Sequence, residues 1–186
     1  MRNERLLIML ETAIMATLAY ALSFIQFGGF WAQGGSISLV MIPIVLLSFR
    51  RGVKAGLTAG LIVGLLKLMI GGYIVHPVQV LLDYPLPYAV IGLSGLFAAS
   101  GGASKMATMT RAVLGITLAA SLQFLCHFGS GVIWFGSFAP EGMPVAWYSF
   151  LYNVSYLVPE ILINSTIILL LLSSRTSLLT PHSFSR

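Results

Sequence analysis

The chain has 186 residues, 58% hydrophobic and only 8% charged, with a mean hydropathy of +0.95 and a formal charge of +5. A soluble domain carries about a quarter charged residues, so this chain belongs in lipid, and its length leaves room for five or six spans of about 20 residues but for no separate soluble domain. The basic residues are scattered among apolar runs rather than gathered on one face, which argues against a nucleic-acid partner, and Cys126 stands alone, which excludes an intrachain disulfide or a multi-cysteine metal site.

Six apolar runs follow in chain order, at about 6–27, 36–49, 53–70, 78–99, 109–130 and 147–173. The first, behind Arg2 and Arg5, has the outline of a signal peptide with Ala19-Tyr20-Ala21 as a cleavage site. Further spans follow it directly, with no polar mature domain to export, so it reads as a retained helix. The second is short and contains Pro43, which predicts a tilted or bent segment. The expected fold is an all-α membrane protein of six transmembrane helices in a single integral domain, 1–186.

Arg2 and Arg5 precede the first run; Arg50, Arg51 and Lys54 lie between the second and third. Lys105 and Arg111 lie between the fourth and fifth, and Arg175 and Arg186 follow the sixth. Every second gap is basic, so both termini are expected in the cytoplasm, with Lys67 the exception.

The three outer gaps are different. They and the adjoining helix ends hold Trp31, Gln33, Tyr73, His76, Asp83, Tyr84, His127, Trp134, Glu141, Trp147, Tyr148 and Asn153. An interfacial aromatic belt accounts for some of these, Trp147 among them, but it does not require Asp83, His127 and Asn153 inside apolar helices. At 1.5 Å per residue His127 lies roughly 24 Å above Arg111, and Asn153 roughly 30 Å above the inner surface, with Asp83 about one turn into its span. Groups at similar heights on different helices predict a ligand pocket near the extracellular face. A carboxylate, an imidazole, a carboxamide and aromatic rings suit a flat, nitrogen-rich cation.

Four stretches, "WAQGGSISLVMIPI" (31–44), "LLDYP" (81–85), "HFGSGVIWFGSFAPEGM" (127–143) and "WYSFLYNVSYLVPE" (147–160), carry a resemblance to a known family. The chain resembles the thiamine-specific substrate-binding S components (the ThiT family) of energy-coupling factor (ECF) vitamin transporters. The resemblance implies a six-helix, non-enzymatic protein that captures thiamine outside and docks on an ECF transmembrane subunit with two ATPases. The absence of a GxxxxGK[ST] phosphate loop from this sequence agrees with energy coming from partners. The resemblance further implies that Asp83, where the family usually has glutamate, hydrogen-bonds the aminopyrimidine, with Tyr84 and Tyr73 beside it. His127 and one ring of Trp134 or Phe135 flank the thiazolium. Tyr148 and Asn153 take the hydroxyethyl end, and Trp31 covers the pyrimidine while Gln33, Gly34 and Gly35 let its loop close. Thiamine is cargo; no cofactor or metal is implied. The family's AxxxA docking face on the first helix has counterparts in the pairs Thr12/Ala16 and Ala13/Thr17, so Ala13, Ala16 and Thr17 are candidate docking residues.

Each feature also has a plainer reading. Asp83 would pair with Lys67 or His76 to fix packing, His127 would be a satisfied buried histidine, and Gly129 and Gly131 would serve helix contact. Glu141 belongs to a solvated turn, and Glu160, near the bilayer middle, is protonated or paired. Three other functions stay open: an S component for another vitamin or a thiamine precursor, a stand-alone cation-coupled carrier using Asp83, and an intramembrane hydrolase.

Overall fold

The computed structural model describes residues 2–31, 34–98 and 103–174. Gln33, Arg175 and Arg186 lie outside the described residues. The chain is nearly all helical: α1 (Arg2–Leu22), α2 (Met41–Arg51), α3 (Val53–Gly71), α4 (Pro77–Asp83), α5 (Pro85–Ala89), a 3₁₀ segment (Val90–Phe97), α6 (Lys105–Trp134) and α7 (Val145–Ser174). A two-stranded antiparallel ribbon, β1 (Gln26–Phe27) with β2 (Ile37–Ser38), joins α1 to α2.

Among the described residues, five stretches are long and apolar enough to cross a membrane: α1, α3, the run from Pro77 to Phe97, α6 and α7. The second expected span is instead an 11-residue helix, α2, whose residues from Met41 to Phe49 are buried except Leu46. It covers roughly 17 Å, about half the hydrocarbon thickness, and is wrapped by other helices rather than lipid. Gly52, at φ 89°, ends α2 and begins α3 at once. That corner is tied to α1 by Glu11, which pairs with Arg50 at 3.0 Å and with Arg51. Arg50 and Arg51 therefore hold helices together at this corner.

The fourth expected span is broken. Pro85 has no N–H to donate and disfavours helical backbone at Tyr84, whose φ is −123°. The helix stops after Asp83, restarts at Pro85 and tightens into the 3₁₀ segment. This irregular run lies against α3 along Gly56, Gly60 and Gly64, spaced by four residues. A Cβ on Gly56 would stand 2.8 Å from the Cα of Gly92, and one on Gly64 2.8 Å from the Cα of Pro85. Small residues at that spacing let two backbones touch.

The fifth helix extends past its expected end at 130, to Trp134. The apolar core, with Met41, Ile44, Val45, Leu47, Ile91, Ile116, Ile168 and Leu172 at its centre, fills the end of the bundle that carries Arg50, Arg51 and Lys105. The opposite end is hollow.

Candidate functional site

The hollow end is a cavity of about 390 Å³, walled by the end of α1, the ribbon, the end of α3, α4, α5, the second half of α6 and the first half of α7. Asp83 is its organising carboxylate. Its Oδ2 accepts hydrogen bonds from Gln79 Nε2 at 2.7 Å and Ser130 Oγ at 2.8 Å, and its Oδ1 lies 3.4 Å from His127 Nδ1. Gln79 is 1% exposed and is fixed at both ends, since its Oε1 accepts from Val75 N and its Nε2 also donates to Tyr73 O. Two helices, α4 and α6, thus converge on one carboxylate. Asp83 pairs with His127 rather than with Lys67 or His76; the His76 ring instead caps α4 by accepting from Val78 N.

Asn153, 3% exposed, donates to Ser149 O at 2.8 Å and accepts from the Tyr156 hydroxyl at 2.6 Å. The Tyr84 hydroxyl accepts from Tyr73 N at 2.6 Å, which holds the α3–α4 loop at the mouth. Tyr148, Tyr152 and Tyr156 rise along α7 with ring centroids 5.9 and 6.0 Å apart. All seven tyrosines of the chain line this cavity, and none of its three tryptophans does.

The expected site residues divide accordingly. Tyr73, Asp83, Tyr84, His127, Phe135, Tyr148 and Asn153 line the cavity; Trp31 and Trp134 do not. Trp134, the last residue of α6, turns away and stacks on His76 at 5.3 Å, while Phe135, one step beyond the helix, turns inward against Tyr73 at 6.0 Å. Trp31 donates from Nε1 to Ser155 Oγ at 2.7 Å and leans edge-on against Tyr156, so it buttresses a wall from outside. Trp147 is 53% exposed and stacked on Phe150, as an interfacial residue would be. A Cβ on Gly131 would meet Ser149 of α7, whereas Gly129 faces open space. Of the docking candidates, Ala16 is 1% exposed and faces the core beside Thr12 and Ala19; only Ala13 and Thr17 lie on the outer face of α1. The four-residue pairs straddle the helix, so Ala16 is not available to a partner.

A model of the thiamine transporter protein family (Thia_YuaJ) matches residues 9–180. The chain belongs to that family. It is 42% identical over 186 residues to the thiamine transporter ThiT of Bacillus subtilis, covering 96% of each chain. Against the thiamine transporter ThiT of Lacticaseibacillus paracasei it is 33% identical over 161 residues, 82% of this chain and 80% of the other. The solved structure of ThiT from Listeria monocytogenes superposes with a TM-score of 0.87 at 31% identity, covering 96% of this chain and 100% of that one. This member of the thiamine transporter family is therefore a multi-pass protein of the bacterial cell membrane, and its relatives are named as transporters, not enzymes.

Several residues of this family member's cavity escape a reading of the sequence. Gln123, 4% exposed on α6 one turn below His127, lines the cavity with its Oε1 unpartnered. Gln79 was detectable in principle, because a glutamine four residues before an aspartate on a helix is a favourable pair. Lys67 and Glu160 also line the cavity, Glu160 being 3% exposed with Oε1 accepting from Ser38 N at 3.2 Å and Ser38 Oγ at 2.9 Å. Asn164, one turn further along α7, donates to Ser38 O at 2.9 Å. The ribbon is thereby clamped to α7 beneath the cavity. Among the described residues no three His, Cys, Asp or Glu side chains gather as a metal site requires.

Proposed function

We propose that this chain captures thiamine from outside the cell as the substrate-binding S component of an ECF transporter, with an ECF transmembrane subunit and two ATPases as partners. The observation that carries the reading is the cavity itself: a hydrogen-bonded carboxylate with an imidazole on one side and aromatic walls around it, at the end of the bundle away from Arg50, Arg51 and Lys105. Aromatic faces attract a thiazolium by about 2 kcal/mol or more when desolvated. A cavity of about 390 Å³ suits one such molecule, and walls already held by their own hydrogen bonds leave little ordering to be done on binding. The capture topology has six helices, α2 counted as the short, lipid-shielded one, with both termini in the cytoplasm and the cavity opening outward. Docking uses the outer face of α1, where Ala13 and Thr17 permit close approach. Release inward is a two-state reorientation driven by the partner complex.

Titration of the purified protein should give saturable heat with thiamine and none with riboflavin or biotin; equal binding of the three defeats the thiamine assignment. Proteoliposomes holding this chain alone should accumulate no thiamine under a proton or sodium gradient, and accumulation defeats the S-component role. Within the site the neighbouring rings separate cleanly. Phe135→Ala is expected to weaken thiamine binding by about tenfold or more, since it removes a wall of the cage. Trp134→Ala should stay within about twofold, because its ring faces His76. The reverse order, read by calorimetry, assigns the stacking ring to Trp134.

A further inference from the structure

Three charged side chains line the cavity: Lys67 from α3, Asp83 from α4 and Glu160 from α7. Asp83 is bonded to Gln79, Ser130 and His127. Glu160 spends one oxygen on Ser38, and its other oxygen has no hydrogen-bond partner among the described residues. Lys67 makes no hydrogen bond or ion pair among them either; its Nζ stands 5.8 Å over the ring of Tyr88. A lysine is out of place in a site for a cation. A fixed like charge in the same cavity repels a cationic ligand and weakens its binding by roughly tenfold or more. Glu160 lines the same cavity as Lys67 and brings a group of opposite charge to it.

We infer that Lys67 and Glu160 form a charge-cancelling couple that sets which ligand charge the cavity accepts, leaving Asp83 as the one uncompensated charge, matched to a ligand carrying a single positive charge. With the lysine protonated and the carboxylate ionised, the couple contributes zero net charge. A dication is left undercompensated, and an ester whose phosphate cancels the thiazolium charge meets an uncancelled carboxylate. Lys67 and Glu160 are thus specificity-determining residues, and this assignment rests on the thiamine reading above.

The test uses two probes, thiamine and thiamine monophosphate, titrated into the purified full chain at neutral pH. The readout is the ratio of the two affinities within each variant, so a general loss of folded protein cancels. Glu160→Gln keeps an oxygen acceptor for Ser38 and removes the charge; it should weaken thiamine by about tenfold or more and narrow the ratio. Lys67→Met should widen the ratio by about tenfold, through weaker binding of the phosphate ester. The double variant should return to near the wild-type ratio, and Lys67→Arg should leave it unchanged. Glu160→Asn and Lys67→Gln repeat the charge changes with different packing where the first variants do not fold. Single variants that move the ratio in the same direction, or leave it fixed while thiamine still binds, overturn the couple. Wild-type protein that binds neither probe overturns the thiamine reading, and the couple with it.

Discussion

Asp83→Asn is expected to lower thiamine affinity by about a hundredfold or more while the apo protein stays folded. The carboxylate is the point where α4 and α6 meet, accepting from Gln79 and Ser130 and facing His127. An asparagine retains one acceptor oxygen for those donors but carries no charge. A hydrogen bond to a charged group contributes about 1.5–3 kcal/mol, and a buried cation loses its only uncancelled counter-charge besides. Calorimetric titration with thiamine reads the effect directly. Asp83→Glu, which restores the charge on a side chain one methylene longer, should bind within about tenfold of wild type. Unchanged affinity in Asp83→Asn removes this residue from the ligand, and the site would then have to be sought elsewhere in the cavity.

Gly60→Val should abolish folding, a cost of about 3 kcal/mol or more. A Cβ at Gly60 would meet the carbonyl of Tyr88 and stand 2.9 Å from the Cα of Ala89. Both obstacles are backbone, so no rotamer change relieves them, and overpacking of this kind costs about 1–3 kcal/mol even where side chains can move. The same contact carries Tyr84 and Tyr88 into the cavity wall, so any variant protein that survives should also bind poorly. Gly129→Ala is the control: its Cβ meets open space, and alanine is the better helix former by about 1 kcal/mol. A monodisperse, wild-type-like thermal midpoint for Gly60→Val would show that α3 and α5 do not need to touch.

What could be read in the sequence followed from depth. Asp83, His127 and Asn153 were placed at one height by helical rise alone, and all three line the cavity. What could not be read was direction. In a water-soluble helix, polar residues mark the outer face, but in lipid both faces are apolar and that contrast is lost. Gln123 and Glu160 therefore gave no sign of pointing at the same space as Asp83. Trp134 and Phe135 show the problem at its smallest, since helical geometry ends between them and adjacent rings leave in opposite directions. The α2 segment shows a different limit: hydropathy registers burial in protein and burial in lipid alike, so the run gave no sign that its helix is enclosed by its neighbours.

The distribution of tyrosine has a practical consequence. With every tyrosine on the cavity wall and every tryptophan off it, indole emission is an indirect reporter of occupancy. Biosynthetic incorporation of 3-fluorotyrosine, by contrast, would put each fluorine nucleus at the ligand's boundary with no background from the rest of the chain. One ¹⁹F spectrum would then view the whole recognition surface, in detergent or in a bilayer, and follow it as the cavity fills and empties.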